Sequence, residues 1–123
     1  HVVAHEVAHS WSGNLVTNET WEHFWLNEGL TVFTEIRILR NVFGQEYAAL
    51  YLSSQLKALA DDVARLGKDH NFTRLVPDLR GGVDPDDAFS TVPYIKGLSL
   101  FCYLESLVGG EELFQPFLRA YFQ

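Results

Sequence analysis

The segment His5-Glu6-Val7-Ala8-His9 sets two imidazoles four residues apart with a carboxylate between them. At about 100° per residue in a helix, positions 5 and 9 return to nearly the same face, so both rings can reach one ion. Glu6 sits beside them rather than above them. Its carboxylate can take a proton from a water at that ion without filling a coordination position. The chemistry on offer is metal-assisted hydrolysis. A hydrolytic zinc centre generally needs a third protein ligand and leaves the fourth position to water. Glu28 is the candidate, on a second helix reached by a connection that can fold it back against the first. His1 and His5 repeat the same spacing, but Val2 stands where the base belongs, so that pair offers metal binding without catalysis.

The elements that must hold these groups are helices. Val2, Val3, Val7 and Ala8 interleave with the histidines and predict a helix over His1 to Ser12, stopped by Gly13-Asn14. An aromatic-rich connection, Asn18 to Phe24, leads to a second helix from about Asn27 to Arg40. Leu52, Leu56, Leu59, Val63 and Leu66 recur at threes and fours and predict a third from about Glu46 to Leu66, closed by Gly67. From Lys68 to Pro93 come Pro77, Pro85 and Pro93, Gly81-Gly82, and the acidic Asp84, Asp86 and Asp87, which together read as a long loop. Tyr94 to Val108 and Glu111 to Tyr121 read as two further helices separated by Gly109-Gly110. Strand patterns are nearly absent, and the expected fold class is mostly α.

Composition narrows the field of functions. With 123 residues, 47% of them hydrophobic and 20% charged, the chain suits one modest domain with a core. A net charge of -7 without any cluster of Lys and Arg excludes the footprint of a nucleic-acid binder. No apolar run approaches the roughly 20 residues of a membrane span, and the amino end has no signal-peptide pattern. Cys102, the single cysteine, can form no internal disulfide, which points to a reducing, cytoplasmic setting. The sequons Asn18-Glu19-Thr20 and Asn71-Phe72-Thr73 arise readily by chance and are neutral. Because a helical pattern is already running at His1, residues 1–123 are expected to be part of the catalytic domain of a larger protein.

His5-Glu6-x-x-His9, eighteen residues, then Glu28 within Trp25-Leu26-Asn27-Glu28-Gly29, resembles the gluzincin aminopeptidases of the membrane alanyl aminopeptidase family. Three longer stretches are similar to the branch of that family containing leukotriene A(4) hydrolase and aminopeptidase B. These are His9-Ser10-Trp11-x-Gly13-Asn14-Leu15-Val16-Thr17-Asn18, Phe24-Trp25-Leu26-Asn27-Glu28-Gly29 and Val92-Pro93-Tyr94-x-Lys96-Gly97. The likeness covers nearly the whole chain. It implies the helical part of a thermolysin-like metallopeptidase catalytic domain and one zinc ion held by His5, His9 and Glu28. Glu6 is then the general base, and the substrate is a peptide shortened from its amino end. Tyr94 matches the tyrosine that stabilises the oxyanion, a role that suits a neutral phenol. Asp86 matches a substrate-binding aspartate used for epoxide hydrolysis, although an acidic loop is ordinarily a solvated turn.

Glu35, two turns beyond Glu28 on the same helical face, has the spacing to accept a hydrogen bond from a ligand imidazole; a solvated charge is the alternative. Two departures from the branch stand near Tyr94: Phe89 occupies the place of a second active-site tyrosine, and Ile95 that of a glutamate. The family's Gly-x-Met-Glu-Asn segment, which recognises the substrate amine, belongs upstream of His5, where only four residues stand. The expected function is therefore a zinc aminopeptidase whose remaining domains lie outside this segment. The alternatives are a bifunctional epoxide hydrolase using Asp86 and an inactive zinc-binding relative.

Overall fold

Phe24–Phe43 forms the helix around which the molecule is arranged, and its sequence explains why. Leu30, Val32, Phe33 and Leu39 are interspersed with Gly29, Thr31, Glu28 and Glu35, and all eight are buried, so α2 presents no wide polar face to solvent over its first three turns. In the computed structural model, which describes all residues 1–123, the other helices pack around it: α1 (Val2–Ala8), α3 (Gln45–Leu66), α4 (Gly97–Leu107) and α5 (Glu111–Tyr121). Short 3-10 turns occupy Trp21–His23, Asn71–Thr73 and Pro85–Ala88, and a π-helical turn, Val92–Lys96, runs directly into α4. No strand forms; a lone bridge joins Ser12 and Val16. The mostly helical class expected from the sequence is the one observed.

One core holds these pieces together. Leu30, Val32 and Phe33 of α2 meet Ile95, Leu98 and Phe101 of the turn and α4, and Phe114 and Leu118 of α5 close the cluster. The Phe33 ring lies 5.9 Å from that of Phe101 and 5.7 Å from that of Phe114, within the usual range for aromatic pairs. Where α2 crosses the start of α4 the two backbones touch. A methyl group on Gly29 would fall 2.6 Å from the Gly97 Cα, and one on Gly97 would fall 2.8 Å from the Gly29 Cα. Only glycine at both positions permits that approach. The crossing matters because Glu28 directly precedes one glycine and Tyr94 stands three residues before the other.

Element boundaries depart from the sequence expectation in physically intelligible ways. α1 ends at Ala8 rather than Ser12, because the Ser10 and Trp11 amides turn back to Val7 and Ala8 in a tighter winding. His9 still donates its amide to the His5 carbonyl, so the i, i+4 relation survives. α2 starts at Phe24 and runs to Phe43, longer at both ends than its expected core. Pro93 does not end the long loop but sits in the first turn of the π-helical segment, where its missing N–H costs little. Asn71 closes its loop by donating to the Asp78 carbonyl at 2.7 Å and accepting the Asp78 amide at 2.9 Å, which gives the second sequon a structural role.

Candidate metal centre

α1 supplies two rings and α2 one carboxylate to a single point. His9 Nε2 lies 3.1 Å from His5 Nε2, and Glu28 Oε2 lies 3.2 Å from His5 Nε2 and 3.3 Å from His9 Nε2. These three residues form the one group of ligating side chains able to share an ion. Ligand atoms at about 2.0–2.1 Å from a tetrahedral ion sit roughly 3.3 Å from one another, so the observed triangle has the right dimensions for zinc. Its chemistry fits as well. Two imidazole nitrogens facing each other at this distance, beside a carboxylate only 7% exposed, need a cation or a proton between them.

The far edge of each ring sets which nitrogen faces the centre. His5 Nδ1 is 3.0 Å from Glu35 Oε2, and His9 Nδ1 donates to the Ser12 carbonyl at 2.8 Å. With the Nδ1 protons committed there, both Nε2 lone pairs converge on the same point. Thr31 supports the second contact, its hydroxyl donating to the same Ser12 carbonyl at 3.1 Å. Ser12 is buried and ties its own hydroxyl to the Asn27 carbonyl at 3.0 Å, which fixes the chain after α1 against the start of α2. Gly13, at φ 109°, lets that chain pass within 3.0 Å of His9 Nδ1, measured from where a Cβ would stand.

Glu35 is therefore placed as the spacing suggested, buried at 2% exposure rather than solvated. Its Oε1 is buried with no partner, and Tyr51 of α3 lies alongside. Burial, and then the Glu35 carboxylate, push the Tyr51 phenol far above its ordinary range. The Glu28 carboxylate, followed by that of Glu35, raises the His5 imidazole from 6.5 to about 9. A metal ion must displace that proton, so acid opposes metal binding.

Glu6 stays outside the ligand triangle and is exposed on a cleft of about 340 Å³. His5, Tyr94, Tyr51 and Phe89 border the same cleft. The half-buried Tyr94 ring stacks 6.1 Å from that of His5 and meets Phe24 and Phe89 edge-on at 6.1 and 6.0 Å. Burial raises its phenol to about 12, with the carboxylates of Glu28 and Glu6 adding to the effect. Asp86 is not part of this group. It borders a neighbouring cavity of about 250 Å³ with Trp21, Phe24 and Pro93, and Phe89 is common to both spaces. His1 is outside the ligating trio but borders the cleft of Glu6 and Tyr94, stacked 5.2 Å from the Tyr51 ring.

Sequence reasoning missed Ser12, Thr31 and Tyr51. Thr31 carried a signal, being three residues beyond Glu28 on the same face. The Ser12 carbonyl carried none, because any residue supplies a backbone oxygen.

Two imidazoles and a carboxylate brought together by packed helices, with a second carboxylate and a phenol on the adjoining cleft, make up the helical lobe of a metallopeptidase. The Peptidase family M1 domain matches residues 1–123, and the chain belongs to that family. It is 57% identical over 121 residues to leucine aminopeptidase 2 of Ajellomyces capsulatus, covering 98% of this chain and 19% of that protein. To the leukotriene A-4 hydrolase homolog of Botryotinia fuckeliana it is 55% identical, with 98% and 18% covered. Its fold superposes on yeast LTA4 hydrolase, solved in complex with bestatin, with a TM-score of 0.93 and 48% identity over 98% of this chain and 19% of that one. The chain thus spans about a fifth of the length of the relatives it matches.

Proposed function

We propose that residues 1–123 are part of the catalytic domain of a zinc aminopeptidase, with His5, His9 and Glu28 holding one zinc ion and a peptide as substrate. The observation that carries this reading is the triangle of 3.1 to 3.3 Å between the three ligand atoms, sized for a tetrahedral ion. Bound there, zinc supplies Lewis acidity, which brings the pKa of a water towards about 7 and polarises a carbonyl. Glu6, free of the ligand set and open to the cleft, accepts the proton of the attacking water and returns it to the leaving amine. The Tyr94 phenol, kept neutral by burial, donates a hydrogen bond to the oxyanion as it develops. Glu35 and the Ser12 carbonyl hold the two imidazoles in the tautomer that aims Nε2 at the centre. Recognition of the substrate's amino group belongs to parts of the protein outside these residues. The lone Cys102 is in keeping with a cytoplasmic enzyme, and no helix is long and apolar enough to cross a membrane.

Turnover of amino-acid arylamides by the full-length protein tests the reading. Hydrolysis should stop with a chelator, return with zinc, and fail on substrates whose amine is acetylated. Equal turnover of acetylated substrates would contradict an aminopeptidase, and activity indifferent to chelation would contradict the metal. A second reading has one observation in its favour: Asp86 borders the mainly apolar cavity beside Phe89, as an aspartate acting on an epoxide lipid would. Turnover of such a lipid, lost in Asp86→Asn while peptide cleavage persists, is the result that reading requires.

A further inference from the structure

Asp62 lies far along α3, beside a neighbour, Asp61, that simply pairs with Lys57 on the surface. Its own carboxylate is used differently. Oδ2 accepts both the Thr91 amide at 2.9 Å and the Thr91 hydroxyl at 2.8 Å, while Oδ1 accepts from the Arg65 guanidinium at 2.8 and 3.2 Å. Thr91 is the cap of the π-helical turn, and its carbonyl accepts the Ile95 amide at 2.9 Å. Next to it, the Val92 amide donates to Ser90 Oγ at 3.2 Å, and Pro93 has no amide hydrogen. Tyr94 stands at the middle of this turn.

The turn itself is packed on both sides of Tyr94, since Val92 and Ile95 are buried and Gly97 presses on Gly29. Before it, the chain from residue 74 to 91 has no regular structure except Pro85–Ala88, and Phe89 is largely exposed. Both side-chain-mediated bonds of Thr91 end on one oxygen of Asp62. We infer that Asp62 is a positioning residue for Tyr94, holding Thr91 so that the turn begins at a fixed place and the phenol hydroxyl stays where an oxyanion forms. This rests on the role proposed above for Tyr94. Two charge-assisted hydrogen bonds to one oxygen make a stiff link. A hydroxyl that strays by about 1 Å costs up to 10²-fold in rate even when the change lies away from the chemistry.

A double-variant cycle in the full-length protein tests it, with kcat and KM on an amino-acid arylamide, zinc content and Tm measured for each form. Asp62→Ala should lower kcat about tenfold with KM and zinc content near wild type. Tyr94→Phe should lower kcat roughly 10²-fold. The double variant should be no slower than Tyr94→Phe alone, because the clamp acts only through the hydroxyl. Asp62→Asn, which keeps one acceptor oxygen for Thr91, should recover part of the loss and serves if the alanine variant folds poorly. Independently of activity, 3-fluorotyrosine placed at position 94 of the zinc-free protein should give one narrow fluorine resonance that broadens or splits in Asp62→Ala. Full kcat in Asp62→Ala, or losses that multiply in the double variant, would overturn the positioning role and leave that of Tyr94 standing. Full kcat in Tyr94→Phe would overturn both.

Discussion

Each imidazole of the proposed metal centre is gripped at its outer nitrogen, but the two grips differ in kind. His9 leans on a backbone carbonyl that no substitution removes, whereas His5 depends on the Glu35 side chain. Glu35→Ala should therefore lower zinc affinity about 10- to 100-fold while leaving the fold intact, as loss of an outer partner usually does. Competition with a chromogenic chelator checks it, and an unchanged affinity would show that packing alone orients His5. His5→Ala, His9→Ala and Glu28→Ala should each go further and leave the site with little metal at equimolar zinc, which elemental analysis of the full-length variants measures. In the sequence, helical spacing pairs His5 with His9 because it fixes which side chains share a face, whereas Glu28, on another helix, is reached only through the need for a third ligand and the family resemblance. The face argument reached Glu35 from Glu28 in the same way. Asp62 lay beyond that logic: its partner Thr91 is on a loop 29 residues away, and a carboxylate on an amphipathic helix looks the same in sequence whether it clamps a loop or faces water.

At the level of the helices, the site is set by a crossing and a clamp. Gly97→Ala would drive a methyl group to 2.8 Å from the Gly29 Cα and 3.0 Å from the Trp25 carbonyl, both backbone atoms that cannot swing aside. It should destabilise the fold by about 1–3 kcal/mol or more. The same change should lower kcat as well, because the shift falls on the turn that carries Tyr94; a denaturant midpoint equal to wild type would mean that the helices stand further apart. The clamp has a pH signature. The Thr91 amide, then Arg65 and the Thr91 hydroxyl, depress Asp62 from 3.8 to about 2. A carboxylate depressed on folding adds stability above its unfolded pKa and loses it as pH falls through the folded one. The stability gap between wild type and Asp62→Asn, about 1 kcal/mol after screening at this partly exposed position, should hold above pH 4 and close towards pH 2. A gap undiminished at pH 2 would tie it to shape rather than charge. Hydrophobic periodicity located all five helices, yet it placed the end of α1 too late and could not foresee the π-helical turn. Periodicity reports which residues face the core, whereas winding at a helix end depends on where the last amides find acceptors.

Across the whole molecule, large apolar side chains stay exposed on several elements: Val2, Val3 and Val7 of α1 with Trp11, Leu15 and Trp21, and also Phe43, Leu50, Leu107, Leu113 and Phe117 of the other helices. Apolar surface of that extent favours association. Expressed alone, residues 1–123 should associate in sedimentation experiments and hydrolyse arylamides poorly, whereas the full-length protein is expected to stay dispersed and to hydrolyse them well. Turnover by the segment comparable to that of the intact protein would place the substrate-capturing groups within these residues. The division of labour between ligands and base can be tested in one variant. Glu6→Gln keeps the shape of the side chain and removes its capacity to accept a proton. In the full-length protein it should retain one zinc per chain by elemental analysis while arylamide turnover falls to background. Loss of zinc in that variant, or turnover near wild type with zinc in place, would contradict the assignment of Glu6 as the base beside a His5, His9 and Glu28 centre.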